Sequence, residues 1–385
     1  MTKIYYFAPF CFEKFNQIFN TSVIVGAAAN KIKGISSAIM KAGGSVIIVS
    51  SPITTRSKKF NTTLAYYFES GIKVISLPTI SIKFINRLYA SYRYTIFSLY
   101  NIKRTDRVIF YNFFIEYIFA IIILRIKRVE IIIDIEDAPI FKDFSLRGLT
   151  NIASYFLIRL LTKKKYLVAS NFIAVLLNLK SYICVYGVAQ IYGGYEKNNK
   201  SRLRISYGGA LIQETGVDIF CETIKDIYFS EFRDRYCFVV SGFGEIYKII
   251  KIAQEINDLN FIELHFNETF TSYKKTLNTC EVGLCLKLPN TQIGKTTFPS
   301  KVIEIAANGL LLVTTNVSDV PLIFNNTNAV IIEKLNKIEL VNALNKITSN
   351  RDEYKKVAKL GSDYVINNMS DIIIGKKILR YLEVN

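Results

Sequence analysis

The residues best suited to bind an anion beside a hydroxylated ring lie in Phe298-Pro299-Ser300-Lys301-Val302-Ile303-Glu304-Ile305-Ala306-Ala307-Asn308-Gly309. Proline at the first turn, good helix formers and a closing glycine predict a helix over residues 299–308, entered and left sharply. Its amino end offers free amides and the positive end of the helix dipole, which suit a phosphate. Glu304 sits one turn in. A carboxylate there repels phosphate but can accept two hydroxyls of a ribose. The competing reading is a buried amphipathic helix whose Pro-Ser-Lys is incidental.

A second set of carboxylates, Asp134, Glu136 and Asp137, stands at the end of the strand-like run 130–135. Glu136 and Asp137 could orient a reacting hydroxyl; alternatively they are an acidic strand end capping the loop that follows. The single histidine, His265, lies in a strand-like run without ligand-type neighbours and reads as structural. The six cysteines form no CxxC pair and have no histidine at metal-ligand spacing, which argues against zinc and disulfides and fits a reducing cytosol. Cys280 and Cys285 read as core residues. No carboxylate pair suits a diphosphate-bound divalent ion, so neither metal nor other cofactor is expected.

Positioning these groups requires rigid elements. Short β-rich runs alternate with helix-length periodic segments, the pattern of parallel strands joined by crossover helices. Residues 3–8, 45–50, 72–77, 108–111 and 130–135 predict strands of a first doubly wound sheet, with a helix over 27–41 stopped by Gly43-Gly44. The polar stretch from Gly193 to Lys200 predicts a linker. Beyond it, strands at 203–207, 237–241, 261–266, 282–286 and 310–315 alternate with helices at 218–225, 273–278 and 299–308, a second such sheet. Helices at 352–360 and 370–383, separated at Gly361, close the chain. The expected fold class is α/β, two Rossmann-like doubly wound parallel-sheet domains facing across a cleft, with ligands at the carboxyl ends of the strands.

At 385 residues and 50% hydrophobic content the chain can fill two cores. Its net charge of +18 calls for an anionic partner. Much of the basic charge lies in the first half: Arg56, Lys58, Lys59, Arg87, Arg93, Lys103, Arg104, Arg107, Arg125, Lys127, Arg128 and Lys163 to Lys165. The stretch from Ile82 to Tyr94, continuing to Phe97, Tyr100, Lys103 and Arg104, interleaves rings and cations at helical spacing. That suits the headgroup zone of an anionic membrane, or equally a helix covering the sheet with a solvated basic face. No nucleic-acid-binding motif accompanies it, so no nucleic acid is expected. The start of the chain lacks a secretory pattern. The apolar run 108–124 contains Asn112 and Glu116 and reads as a strand and helix, not a membrane span.

The segment from Phe298 to Gly309 resembles the donor motif of the retaining glycosyltransferases of family four, whose two Rossmann-like domains form the GT-B architecture. The resemblance implies that Glu304 holds the donor ribose and that Ser300 and Lys301 lie beside the diphosphate, with Phe298 and Pro299 in the same motif. Ile205-Ser206-Tyr207-Gly208-Gly209-Ala210-Leu211 is similar to the opening of the family's donor domain. Val239-Val240-Ser241-Gly242-Phe243-Gly244-Glu245 resembles the next strand and glycine turn, where the base is commonly held. Residues 281–286 resemble the strand before the donor helix, and Gly26 matches the glycine turn near the donor phosphate. Asp134 to Asp137, Ala169-Ser170 and Tyr186-Gly187, the last as the end of the final strand, match recurrent segments of the first domain.

The departures from the family are specific. Ala210 and Thr215 stand where many members carry arginine and lysine, Thr296 replaces the first acid of a paired-glutamate motif, and Glu136 and Asp137 occupy the region of a missing histidine. A divergent enzyme would draw on Lys301, Lys295 or Lys287 for the phosphates. The domain reading is 1–195 on the acceptor side, 196–365 binding the donor, and 366–385 as a helix packing back on the first domain. The implied activity is transfer of a hexose-type sugar from a UDP- or GDP-sugar, with retention, to a glycan or lipid-linked acceptor. The type implied is polysaccharide or lipopolysaccharide biosynthesis, in the cytoplasm at the inner face of the cell membrane. The alternatives are a non-catalytic GT-B-like subunit binding a membrane-associated partner, and a nucleotide-sugar epimerase, which the shortage of histidine disfavours.

Overall fold

Runs of β-branched and aromatic residues, bounded by glycine and polar turns, become the strands of two sheets, and the periodic segments between them become crossover helices. The computed structural model describes residues 2–21, 26–52, 61–139, 145–162, 165–193, 202–266, 268–291, 294 and 297–383. The sequence expectations for Arg56, Lys58, Lys59, Lys163, Lys164, the stretch 194–200, Lys295 and Thr296 lie outside them. The chain divides into two compact units, Met1–Val188 with Ser370–Asn385, and Ala189–Met369.

In the first unit, strand β1 (Lys3–Phe7) leads through helices α1 (Glu13–Phe19) and α2 (Ala27–Lys41) to β2 (Ser45–Ser50). The hairpin of β3 (Ala65–Glu69) and β4 (Ile72–Ser76) follows. Then come α3 (Lys83–Asn101), β5 (Arg107–Tyr111), α4 (Ile118–Ile126), β6 (Glu130–Ile135), α5 (Leu146–Leu161), β7 (Tyr166–Val168), α6 (Asn171–Leu176) and β8 (Tyr182–Cys184). The sheet order is β3-β4-β2-β1-β5-β6-β7-β8. It departs from a wholly parallel sheet at β3, which runs antiparallel to β4 because the two are joined by a tight turn at Ser70-Gly71. Side chains alternate across the sheet. Tyr5, Phe7, Val108 and Phe110 join residues of α3 to α6 in one core, and α2 lies on the opposite face.

The second unit contains β9 (Leu203–Leu211), α7 (Val217–Tyr228), β10 (Tyr236–Gly244), α8 (Ile246–Ile256), β11 (Ile262–Phe266), α9 (Phe270–Asn278) and β12 (Val282–Cys285). They are followed by α10 (Lys301–Ala307), β13 (Leu311–Thr315), β14 (Val330–Ile332), α11 (Lys337–Ser349) and α12 (Arg351–Met369). The order β11-β10-β9-β12-β13-β14, all parallel, is that of a nucleotide-binding doubly wound sheet, and its direction of winding reverses between β9 and β12. The corresponding reversal in the first sheet falls between β1 and β5.

Three local expectations need correction. Gly361 does not separate two helices: α12 runs through it, because a Cβ at this position would lie 2.4 Å from the Asn328 carbonyl oxygen and only glycine permits that approach. Tyr186-Gly187 lies beyond the last strand, which ends at Cys184. The helix expected from Pro299 begins at Lys301, since residues 298–300 form a tighter turn in which Val302 N donates to Pro299 O (3.0 Å). The apolar run 108–124 forms β5 and most of α4, and no helix of the described residues is long and apolar enough to cross a membrane.

The final helix, α13 (Asp371–Tyr381), belongs to the first unit and packs on α2. Gly375 makes the contact close: a Cβ there would sit 1.9 Å from Ala38 O and 2.7 Å from Ala42 Cβ. Lys41 pairs with Asp371, and Arg107 Nε donates to Leu382 O (3.1 Å). Gly375→Ala should therefore destabilise the protein by about 1–3 kcal/mol, the clash outweighing the ~1 kcal/mol gained in helix propensity. A lowered midpoint in thermal or urea unfolding checks it.

Candidate functional site

The second unit's site forms where β9 and β10 end. Gly208 pairs with Ser241 and Gly209 with Gly242 in parallel register. Gly209 (φ 105°) and Gly242 (φ 131°) both occupy the region that favours glycine. A Cβ on Gly242 would lie 2.1 Å from Gly209 O, so any side chain would force the strands apart. The result is bare backbone beside the reversal in winding, where ligands bind such sheets. Phe243, one residue on, is 44% exposed and offers a ring face at the strand end.

Lys301 lies against this backbone. Its Nζ would be 3.5 Å and 3.3 Å from Cβ atoms built on Gly208 and Gly209, and it stands 5.2 Å from the centre of the Tyr273 ring. The ammonium has no ion pair with a described residue. A half-buried cation over a ring face, beside open glycine backbone, is arranged to meet an anion. Ser300 precedes it, exposed, its hydroxyl capping no helix amide, and Pro299 is half-buried. Phe298, at the start of the same turn, is buried.

Glu304, one turn along α10, is held at both oxygens. Tyr192 Oη donates to Oε1 (2.5 Å) and Tyr273 Oη to Oε2 (3.1 Å). Burial, and then the adjacent carboxylate, raise both phenols far above their ordinary pKa, so they remain donors. A carboxylate has about four lone-pair directions, so two remain for other hydroxyls. Asn308 ties the same segment down: Tyr192 N donates to its Oδ1 (2.8 Å), and its Nδ2 donates to Gln190 O (3.0 Å) and Glu304 O (2.8 Å). Tyr192, Tyr273 and Asn308 were not recognised in the sequence. The two tyrosines lie in segments remote from α10, and Asn308, at the carboxyl end of α10, shows in the sequence only as the residue before the closing glycine.

The phosphate cations separate clearly. Lys287 is buried and donates to Thr297 O (2.9 Å), which fixes the turn before α10 and removes this lysine from the set suggested for the phosphates. Lys295 lies outside the described residues. Ala210 and Thr215 bond to each other, Thr215 Oγ1 donating to Ala210 O (2.6 Å). The turn at which the family resemblance implied cations is here closed on itself.

In the first unit, Glu136 and Asp137 follow β6. Asn112 Oδ1 accepts from both their amides (2.8 and 3.3 Å), an arrangement that the left-handed backbone of Asn112 (φ 55°) permits. Tyr111 Oη donates to Glu136 Oε2 (2.5 Å). Asp134, fully buried, accepts from Tyr6 and forms an ion pair with Lys31 of α2 (2.8 Å). Burial opposes the charge on Lys31, but Asp134 and then Glu136 raise its pKa above the ordinary value. Burial is also the largest influence on Glu136, raising it above the ordinary carboxylate range against the pull of Lys31 and Tyr111. Asp137 is exposed. Gly26 immediately precedes α2, with open space where a Cβ would stand and an ordinary backbone, so neither crowding nor conformation explains the glycine. Lys31 was missed, although a lysine on the same stripe as Ile35 and Ile39 is a legible anomaly.

Outside these groups, His265 lies between Glu268 (2.8 Å) and Glu263 (3.5 Å) on the surface of β11. Burial pushes the Cys280 and Cys285 thiols up to about 12 and about 11, which keeps them unreactive.

No protein-family model and no curated protein matches the sequence. Solved structures match along nearly its whole length, at identities that speak to the fold alone. Sucrose-phosphate synthase from Thermosynechococcus elongatus aligns with TM-score 0.73 and 11% identity over 100% of this chain and 98% of that one. A glycosyltransferase from Rickettsia africae gives 0.67 and 14% over 99% and 98%. S. aureus TarM, solved with UDP and alpha-GlcNAc-glycerol among its ligands, gives 0.69 and 10% over 99% of each chain. The chain has the GT-B fold, two Rossmann-like α/β domains.

Because Glu136 holds its proton more tightly when folded, its ionisation costs stability as pH rises from the ordinary carboxylate range through its raised pKa. Glu136→Gln should raise the melting temperature at pH 7 to 8, with the difference vanishing near pH ~4. Melting curves across that range test the sign.

Proposed function

We propose that the chain is a glycosyltransferase of the retaining, family-four type. It moves a hexose-type sugar from a UDP- or GDP-sugar to a glycan or lipid-linked acceptor in polysaccharide or lipopolysaccharide synthesis at the inner face of the cell membrane. The observation that carries this reading is the pairing, on one short helix, of the Lys301 ammonium, which has no ion pair with a described residue and lies beside Gly208-Gly209, with the tyrosine-held carboxylate of Glu304. A diphosphate on the cation would leave the attached ribose one helical turn away, where the carboxylate's remaining lone pairs accept its hydroxyls. Structures sharing the fold were solved with UDP, as for TarM, and with UDP-2-fluoro glucose, as for the E. coli protein.

In this reading Ser300 and the bare backbone of Gly209 and Gly242 receive the diphosphate, Phe243 flanks the base, and Gly26 leaves room for the departing phosphate. Charge develops on the leaving diphosphate, so the protein's main contribution is Lys301 and amide donors around it. The leaving group itself takes the acceptor proton on the front face, while Glu136 and Asp137 orient the acceptor hydroxyl. No cofactor beyond the donor enters the scheme.

A second reading, a non-catalytic subunit that binds a membrane-associated partner, draws on the closed Ala210–Thr215 turn, which presents no cation. It predicts partner capture with no heat of nucleotide binding.

Calorimetry with UDP and GDP distinguishes the two. Lys301→Ala and Glu304→Ala should each weaken the preferred nucleotide by roughly 10- to 100-fold, the loss of a charge-assisted hydrogen bond. Unchanged affinity in Glu304→Ala would discard the site assignment. Tyr273→Phe, which leaves the carboxylate but loosens it, should cost only a few-fold, about 1 kcal/mol.

A further inference from the structure

The first unit carries a surface that sugar transfer does not explain. Helices α3, α4 and α5 contain no aspartate or glutamate. All three pack into the same core on one face of the sheet, α4 between the other two. Each is a crossover between parallel strands, so they run side by side in the same direction and their carboxyl ends lie at one edge. Lys127, just after α4, donates to Leu99 O (2.8 Å) at the end of α3, which brings these two ends into contact.

The outward side of this layer is apolar where a globular surface should be polar. On α5, Leu149 (50% exposed), Phe156 (58%), Leu157 (45%) and Leu160 (79%) form one helical stripe, while Tyr155 and Ile158 fill the core. A helix apolar on both sides is normally covered. Tyr100 (77%) and Ile126 (73%) continue the patch at the ends of α3 and α4. Around those ends stand Lys103, Arg104, Arg125 and Arg128, exposed and with no ion pair to a described residue. The sequence pattern suggested α3 alone as a basic aromatic surface. In the folded chain Tyr94 and Phe97 turn inward while Leu88, Tyr92 and Tyr100 stay exposed, and α5, unremarked in the sequence, adds an exposed hydrocarbon stripe of its own.

We propose that the outer face of α3, α4 and α5 docks on an anionic lipid bilayer, its leucine and aromatic side chains entering the headgroup boundary and its cations meeting lipid phosphates. Two features select this occupant. Acid-free helices ringed by cations that have no ion pair with a described residue are attracted to a negative surface. A contiguous aliphatic stripe finds its match in acyl chains and has none in a nucleic-acid backbone. The proposal does not depend on the donor-site reading and would stand if that failed.

Vesicle flotation of the whole chain tests it, comparing phosphatidylcholine alone with phosphatidylcholine containing about 30% phosphatidylglycerol at about 0.15 M salt. The protein should float with the anionic vesicles and stay behind with the neutral ones. Phe156→Asp with Leu160→Asp should lower partitioning roughly tenfold or more, and Arg125→Glu with Arg128→Glu should abolish the preference for anionic lipid. All four side chains are exposed, and unchanged melting curves would confirm that the variants fold. Flotation equal on both vesicle types, variants that bind like the parent, or no flotation would overturn the proposal. So would displacement from vesicles by single-stranded RNA at comparable phosphate concentration, which would mark a nucleic-acid surface. A concentration-dependent dimer dissolved by the Phe156 and Leu160 changes would equally overturn it, marking a second copy as the occupant.

Discussion

The approach of β9 to β10 constrains everything around the donor-side site. Gly242 can pass the Gly209 backbone only because it has no side chain, and the parallel register brings Ser241 and Gly208 level at the strand ends. The space so opened is occupied at its edge by Lys301. A side chain at Gly242 would displace the strand, and one at Gly209 would crowd this lysine. The geometry of the strand ends thus rests on one backbone contact, and the site's cation lies beside it, where the winding reverses.

Around that contact the protein places charge by tethering it. Glu304 is fixed by two phenols on separate segments, and Asn308 ties one of those segments to the helix carrying the acid. The first unit uses the same approach at greater electrostatic cost. Asp134 is ionically paired in a fully buried position, and the carboxylate next along the strand, Glu136, is raised by burial even with Lys31 nearby. Preorganised groups of this kind need little rearrangement when a ligand arrives, which is where their value for binding lies.

The outer layer of the first unit obeys a different constraint. Its helices satisfy the sheet on their inner side and leave hydrocarbon and positive charge on the outer side. The net charge of +18 is therefore concentrated in part on one layer and has a direction, which bulk composition cannot convey.

Much of this was legible in the sequence. Strand runs bounded by glycine, the alternation with helices and the closing Gly309 follow from local preferences, and β2, β6 and α2 appear with the bounds expected. The types at Lys301 and Glu304 and their spacing on one helix were equally plain. What the sequence could not disclose were contacts between segments far apart: Tyr192 and Tyr273 on Glu304, Lys31 on Asp134, the withdrawal of Lys287 to Thr297, and the passage of α12 through Gly361. Local preference acts over a few residues and can be read in order along the chain. Burial, charge pairing and the exposure of the α5 stripe depend on which distant segments meet, and only the tertiary structure decides that.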